Sequence, residues 1–337
     1  MKLATYLLRR LLGILAVLVG VSLITFAISH LVPADPVLAA LGDKATPEQI
    51  AAFRQQYGLD RALPEQYLVY ANGLLHGDLG RSILTRRPVI DDLRDFFPAT
   101  AELALAALLV SLLIGIPAGI WSAVNRHRLP DHLVRVLSVL GGSLPVFWLG
   151  LVLIGLLYYR LNWLPGGGRI DQFIPPPHTI TGLYTVDSLL TGNWPALGSS
   201  LEHLLLPGFV LGYYSTAVIA RMMRSSMLEV LHQDYLRTAR SKGLAERGVL
   251  FYHALRNALI PMTTIIGVTF GSLLSGAVLT ETVFGWSGLG RYATQSAIGL
   301  DFPAVMGVAL LAAVVYAVVN LLVDLTYFWL DPRIQNG

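Results

Sequence analysis

Arg237, Arg240, Lys242, Arg247 and Arg256 crowd into one helix-prone segment, residues 234–261, with long apolar runs on both sides. Cations at this density do one of two things: they keep a loop solvated, or they make charge-assisted contacts with a partner. A second set lies downstream. Thr264, Gly267, Gly271 and Ser275 fall at i, i+3, i+7 and i+11 and share one helical face. Small residues in this pattern let two helices approach closely, and their hydroxyls and exposed backbone also suit the polar wall of a pathway. Asp324 follows Asn320 by four residues near the end of the last apolar run, where an acid is either hydrogen-bonded to a neighbouring helix or part of a proton relay. No Asp, Glu or His chain continues from it. His30 and His203 fall at the ends of apolar runs and read as interfacial.

Nothing here resembles a catalytic constellation. Gly166-Gly167-Gly168-Arg169 is glycine-rich but lacks the Gly-Lys-Ser/Thr ending of a phosphate-cradling loop. There is no HExxH, no pair of histidines at metal spacing, and no Ser or Asp with an evident base partner. The absence of cysteine excludes disulfides, thiolate metal sites and Cys nucleophiles. The chain is 54% hydrophobic and 13% charged, against about 25% charged in soluble domains. A mean hydropathy of +0.61 agrees. A net charge of +3, spread out, gives no nucleic-acid footprint.

These residues are positioned by six apolar runs, about Leu11–Val32, Leu103–Val124, Val136–Tyr159, Leu204–Ala220, Ala258–Thr280 and Phe302–Val323. Each is near the roughly 20 residues that a spanning helix needs. The first follows Lys2, Arg9 and Arg10 but exceeds the roughly 7–15 residues of a signal core, so it is read as an uncleaved helix. The fold expected is an all-α membrane protein of six transmembrane helices. Short loops rich in Lys and Arg stay in the cytoplasm. The N-terminal tail, the loop with Arg126, Arg128 and Arg135, and the segment from Arg221 to Arg256 therefore face inward, and both termini are cytoplasmic. The division expected is 1–32 for the tail and first helix, 33–97 for a periplasmic segment, 98–330 for a core of five helices, and 331–337 for a cytoplasmic tail. The core includes a cytoplasmic loop at 221–257 and a periplasmic loop at 160–203.

Within the basic segment, Leu236–Lys242 is expected to form a short helix ended by Gly243 in the left-handed conformation. A second helical run from about Glu246 to Leu259 places Leu250, Ala254 and Ala258 on one face, with Arg247 and Arg256 elsewhere. Pro261 is expected to bend the chain as it enters the fifth span. Pro117, Pro145 and Pro207 break the backbone ladder in or near other spans, and Gly141-Gly142-Ser143-Leu144-Pro145 is the point where flexing is expected. In the outer segments, Thr46-Pro47-Glu48 reads as a helix start, Leu59–Pro64 as a turn, and Tyr57, Tyr67 and Tyr70 as packing or partner residues.

Arg237-Thr238-Ala239, three residues, then Gly243 resembles the Glu-Ala-Ala-x-x-x-Gly loop of permease subunits of ATP-binding-cassette importers. Ala239 and Gly243 match; Arg237 and Thr238 replace the Glu and first Ala, and His253-Ala254-Leu255-Arg256-Asn257 replaces the family's Ile-x-Leu-Pro ending. Those departures resemble the peptide and nickel branch, with its D-Y-x-R-T-A-R-x-K-G-L and H-A-L-R-N-A patterns. Leu8-Arg9-Arg10-Leu11, Pro33-Ala34-Asp35-Pro36, His76–Gly80, Arg221–Met227, Thr280–Arg291 and Asp331-Pro332-Arg333 resemble the same branch. The outer insert near Ile180–Trp194 resembles the first permease subunit of dipeptide importers.

The resemblance implies a type I importer permease of the inner membrane that moves dipeptides or short peptides inward. It would pair with a second, homologous permease, two ATP-binding subunits carrying ATP and Mg, and a periplasmic binding protein. This chain itself would hold no cofactor and no metal. It further implies that Asp234, Tyr235, Leu236, Arg237, Thr238, Ala239, Arg240, Lys242, Gly243 and Leu244 belong to the coupling helices. Arg237, Arg240 and Lys242 would supply charged contacts to the ATPase, with Leu236, Ala239 and Leu244 filling its groove. Residues 33–97 and 160–200 are the expected surface for the binding protein. Oligopeptides, glutathione, nickel or haem remain open as substrates within the family. Outside it, a proton-coupled carrier that depends on Asp324 and a non-transporting scaffold remain open.

Overall fold

The computed structural model describes residues 3–31, 45–58 and 60–330. The Pro33–Pro36 motif, the tail from Asp331, and the side chains of His30, Tyr57 and Asp324 lie outside the described residues. All regular elements described are helical, with one isolated bridge between Arg81 and Pro88. Among the described residues, five helices are long and apolar enough to span a bilayer, and six if one bent pair is counted as a single span.

The chain forms two compact units. The first is Met1–Thr100 with Ser287–Val318, and the second is Ala101–Trp286 with Val319–Gly337. In the first unit, α1 (Leu3–Leu31) is followed by the short helices α2 (Pro47–Tyr57) and α3 (Leu63–Leu75). Thr46 caps α2 as expected: its hydroxyl accepts from Gln49 N–H, the Gln49 side chain returns the bond, and Pro47 fixes the first turn. Gly58 closes the helix with φ +65°. Tyr67 and Tyr70 pack on Phe26 of α1, with ring centroids 5.3 and 6.0 Å away. The packing alternative for these two tyrosines is the one realised.

The second spanning helix, α4 (Val89–Val124), has 36 residues, about 54 Å at 1.5 Å per residue. It outruns the roughly 30 Å hydrocarbon layer, so its acidic first turns lie beyond that layer. The third span is one continuous helix in the sequence reading but two here, α5 (Leu129–Ser143) and α6 (Val146–Leu153, continued as a π-helix over Ile154–Arg160). They meet at 102°. Pro145 forces Leu144 into extended backbone, with ψ 131°, and supplies no N–H to continue the ladder. The Tyr213 hydroxyl donates to the Leu144 carbonyl and holds the corner. The break falls where flexing is expected, as a pinned bend.

Beyond the outer helix α7 (Tyr184–Thr191), α8 (Trp194–Leu231) runs for 38 residues straight through Pro207. The fourth apolar run is short in sequence because its helix is the most buried of the spans and tolerates Ser199, Ser200, Ser215 and Ser226 inside. Close contacts hold α4 and α8 together: Ser111 Oγ donates to the Gly212 carbonyl over 2.8 Å, and a Cβ at Gly212 would stand 2.5 Å from the Ala107 oxygen. Gly115 and Gly119 meet Ile219 and Met223 in the same way. After the short α9 (Asp234–Ser241), α10 is continuous from Glu246–Gly248 through a π-helical stretch, Val249–Ala254, to Leu255–Gly276. Pro261 lies inside this helix, which continues through it, and the π-helical stretch ends seven residues earlier. The remaining helices are α11 (Val278–Val283), α12 (Leu289–Ile298) and α13 (Phe302–Leu330).

Candidate functional site

The basic segment folds as a knob. Asp234 in the first turn of α9 and Arg240 in its last suit the helix dipole. Gly243 then takes φ +78°, a conformation that favours glycine, and reverses the chain into α10. Arg240 is bidentate to Glu246 across that turn, at 2.9 and 3.1 Å, so the two helices are tied to each other. Tyr235 accepts from Asn257 Nδ2 at 2.9 Å, a second tie to α10. Thr238 Oγ1 donates to the Asp234 carbonyl at 3.1 Å.

Leu236 and Ala239 depart from the groove-filling role expected of them. Both are buried, Leu236 completely, in the chain's own core with Met223, Met227, Val249, Ala254 and Met262. Their spacing of three puts them on one face of α9, and that face packs back on α8 and α10. The outward face carries Arg237 and part of Tyr235, and Lys242 and Leu244 are exposed in the turn after it. Arg237 is 81% exposed and pairs with Asp234, at 3.5 Å on the same helix. Ala254 and Ala258 are buried, Leu250 packs beside them, and Arg247 and Arg256 are exposed, as their spacing predicts.

The knob rests on a braced base. Arg224 of α8 is bidentate to buried Asp131 at 2.7 and 2.9 Å; that carboxylate also accepts from Ser122 Oγ at 2.6 Å and the His127 N–H. Arg221 donates to the Ser138 carbonyl at 2.8 Å. These bonds clamp α5 to α8 next to the core that holds Leu236. The Arg221–Met227 motif stands out in the sequence, but its carboxylate partner, 93 residues earlier, does not.

The four small residues of α10 divide. Gly267 is buried, and a Cβ there would collide with Val323. Gly271 is buried as well, and its carbonyl accepts from Ser275 Oγ at 3.2 Å. Thr264 carries a buried hydroxyl with no hydrogen-bond partner among the described residues. Ser275 is exposed. The face is thus a helix seam at Gly267, with polar groups above and below it.

Sequence reasoning missed a buried ion pair elsewhere in the same unit. Arg169 donates to Glu102 at 2.7 Å and to the Gly182 carbonyl at 2.9 Å, and lies 3.6 Å over the Tyr184 ring. Glu102 also accepts from the Thr185 N–H and hydroxyl, each at 2.7 Å. The triple glycine positions this arginine: Gly168, with φ +81°, donates to the Phe284 carbonyl at 2.8 Å, and Gly167 abuts the same oxygen. Nearby, Asp187 collects the N–H groups of Ile180, Thr181 and Gly182 and the Thr181 hydroxyl. Burial pushes its carboxyl up, and these donors outweigh burial and hold it below the ordinary range. His203 is buried, with its ring Nδ1 against the Ser199 carbonyl. Among the described residues no His, Asp and Glu side chains gather at metal-ligand spacing.

Residues 115–336 match the family of binding-protein-dependent transport system inner membrane components, and residues 3–104 match the N-terminal region of the same kind of membrane component. The chain is 52% identical to the probable D,D-dipeptide transport system permease protein DdpB of Escherichia coli K12, over 96% of each chain. It is 41% identical to the dipeptide transport system permease protein DppB of Alkalihalophilus pseudofirmus, over 98% of this chain and 99% of that one. The glutathione transport system permease protein GsiC of Escherichia coli O6:H1 is 37% identical over 98% of each. Among solved structures, the inward-facing MetNI methionine ABC transporter shares the fold. The TM-score is 0.53 at 16% identity, over 69% of this chain and 93% of that one.

Proposed function

The chain belongs to the family of binding-protein-dependent transport system inner membrane components, and from that premise we propose that it conducts dipeptides and other short peptides into the cytoplasm. It is a multi-pass permease subunit of the inner membrane that works with a separate ATPase and a substrate-binding protein. In the arrangement proposed, it pairs with a second, non-identical permease, and two ATPase subunits holding ATP and Mg grip α9 from the cytoplasm. The binding protein delivers peptide to the opposite face, over residues 33–97 and 160–200. Relatives named for dipeptides along nearly the whole chain favour dipeptides over glutathione, oligopeptides, nickel or haem.

The observation that carries the coupling role is the two-faced α9. Its outer face and the turn that follows it offer Arg237, Lys242 and Leu244 to a partner, while Leu236 and Ala239 are embedded among Met223, Met227 and Met262 of the spanning helices. A push on the outer face is therefore delivered to α8 and α10 with no loop between. In vesicles holding the complete transporter, Arg237→Glu with Lys242→Glu is expected to leave insertion intact. ATP-driven uptake of labelled dipeptide should fall about tenfold, as charge-assisted contacts are lost. Uptake at the unaltered rate would remove the docking role, and uptake by the isolated chain without nucleotide would remove the ATP-driven reading.

A further inference from the structure

A cavity of about 590 Å³ lies where the end of α6, the loop behind it and the first turns of α8 converge. That is within the roughly 300–1,000 Å³ typical of ligand clefts. Asp171, Glu202, His203, Asn162, Trp163 and Trp194 line it, and no lysine or arginine does. His203 is only 8% exposed, and its Nδ1 sits 2.8 Å from the Ser199 carbonyl. A carbonyl oxygen only accepts, so Nδ1 carries a proton, and in the neutral ring Nε2 is the acceptor. Nε2 has no partner among the described residues.

The rest of the wall has the same polarity. The Asp171 N–H donates to Ser199 Oγ at 2.9 Å, which fixes the loop beside His203. Asp171 Oδ1 accepts from the Phe173 N–H at 2.8 Å, and Glu202 stands exposed. Trp163 and Trp194, 71% and 65% exposed, add indole rings at the helix ends, the level at which such residues sit at a membrane interface. Carboxylates, a bare imidazole nitrogen and aromatic faces with no cation among them are the complement of a primary ammonium.

We propose that this cavity binds an organic ammonium group, from an aminophospholipid headgroup or the N-terminus of a short peptide. Glu202 and Asp171 provide the countercharge and His203 Nε2 accepts a hydrogen bond. The lipid source is independent of the transport reading above; the peptide source rests on it.

The test uses the complete transporter in nanodiscs and native mass spectrometry. The probes are phosphatidylethanolamine, phosphatidylglycerol, alanyl-alanine and N-acetyl-alanyl-alanine. One amine-bearing probe is expected to be retained about tenfold over its amine-free counterpart. Glu202→Gln with Asp171→Asn should abolish that preference at an unchanged thermal midpoint. If the double variant does not fold, Glu202→Gln alone, at an exposed position, should reduce the preference about threefold. Preference for phosphatidylethanolamine identifies the lipid source, and preference for alanyl-alanine the peptide source. Equal retention of amine-bearing and amine-free probes, or a preference that survives in the folded variant, overturns the proposal. Uptake is not the readout, so failure here and failure of the dipeptide reading are separate results.

Discussion

Arg169 and Glu102 show how much one residue pair can organise. Both side chains are nearly buried, at 9% and 4% exposure, and every oxygen of Glu102 is used. Removing one partner of such a pair leaves the other charged and unsatisfied, which costs about 3–5 kcal/mol. Arg169→Met is therefore expected to lower the thermal midpoint in detergent markedly, while Arg237→Met, at an exposed position, leaves it within the error of the measurement. An equal midpoint for Arg169→Met and the parent would mean that the pair contributes nothing. Neither member could be matched to the other from sequence, because 67 residues separate them and Glu102 sits at the start of an apolar run.

At the scale of elements, local chemistry was readable and long-range fit was not. Thr46-Pro47-Glu48 announces α2, Gly243 announces the end of α9, and Leu144-Pro145 marks the corner between α5 and α6. Each of these signals acts within a few residues of itself. The burial of Leu236 and Ala239 depends on Met223 and Met262, which a local pattern does not reveal. The seam at Gly267 was expected from its spacing, whereas the tighter one between α4 and α8 passed unremarked. Gly212→Val tests that second seam. With the Ala107 carbonyl so near, the added methyls must displace backbone, an overpacking cost of about 1–3 kcal/mol. A lowered thermal midpoint is expected; an unchanged one would mean that α4 yields freely.

For the whole molecule, the absence of cysteine turns orientation into a clean measurement. Leu244→Cys on the knob and Gln172→Cys in the loop before α7 are both at exposed positions. An impermeant maleimide should label the second in intact spheroplasts and the first only in inverted vesicles. Labelling of both from one side would reverse the reading of the basic loops. The count of spans came directly from apolar length, but the two units did not. Ser287–Val318 joins the first hundred residues, a pairing across nearly two hundred positions that no hydropathy profile displays.

The burial of Leu236 and Ala239 has a consequence for engineering. Transplanting α9 into a foreign permease would carry across the surface a motor recognises but leave its socket of methionines behind. The graft would be gripped and would rattle, so exchanging one motor for another means moving Met223, Met227, Val249 and Met262 together with the handle.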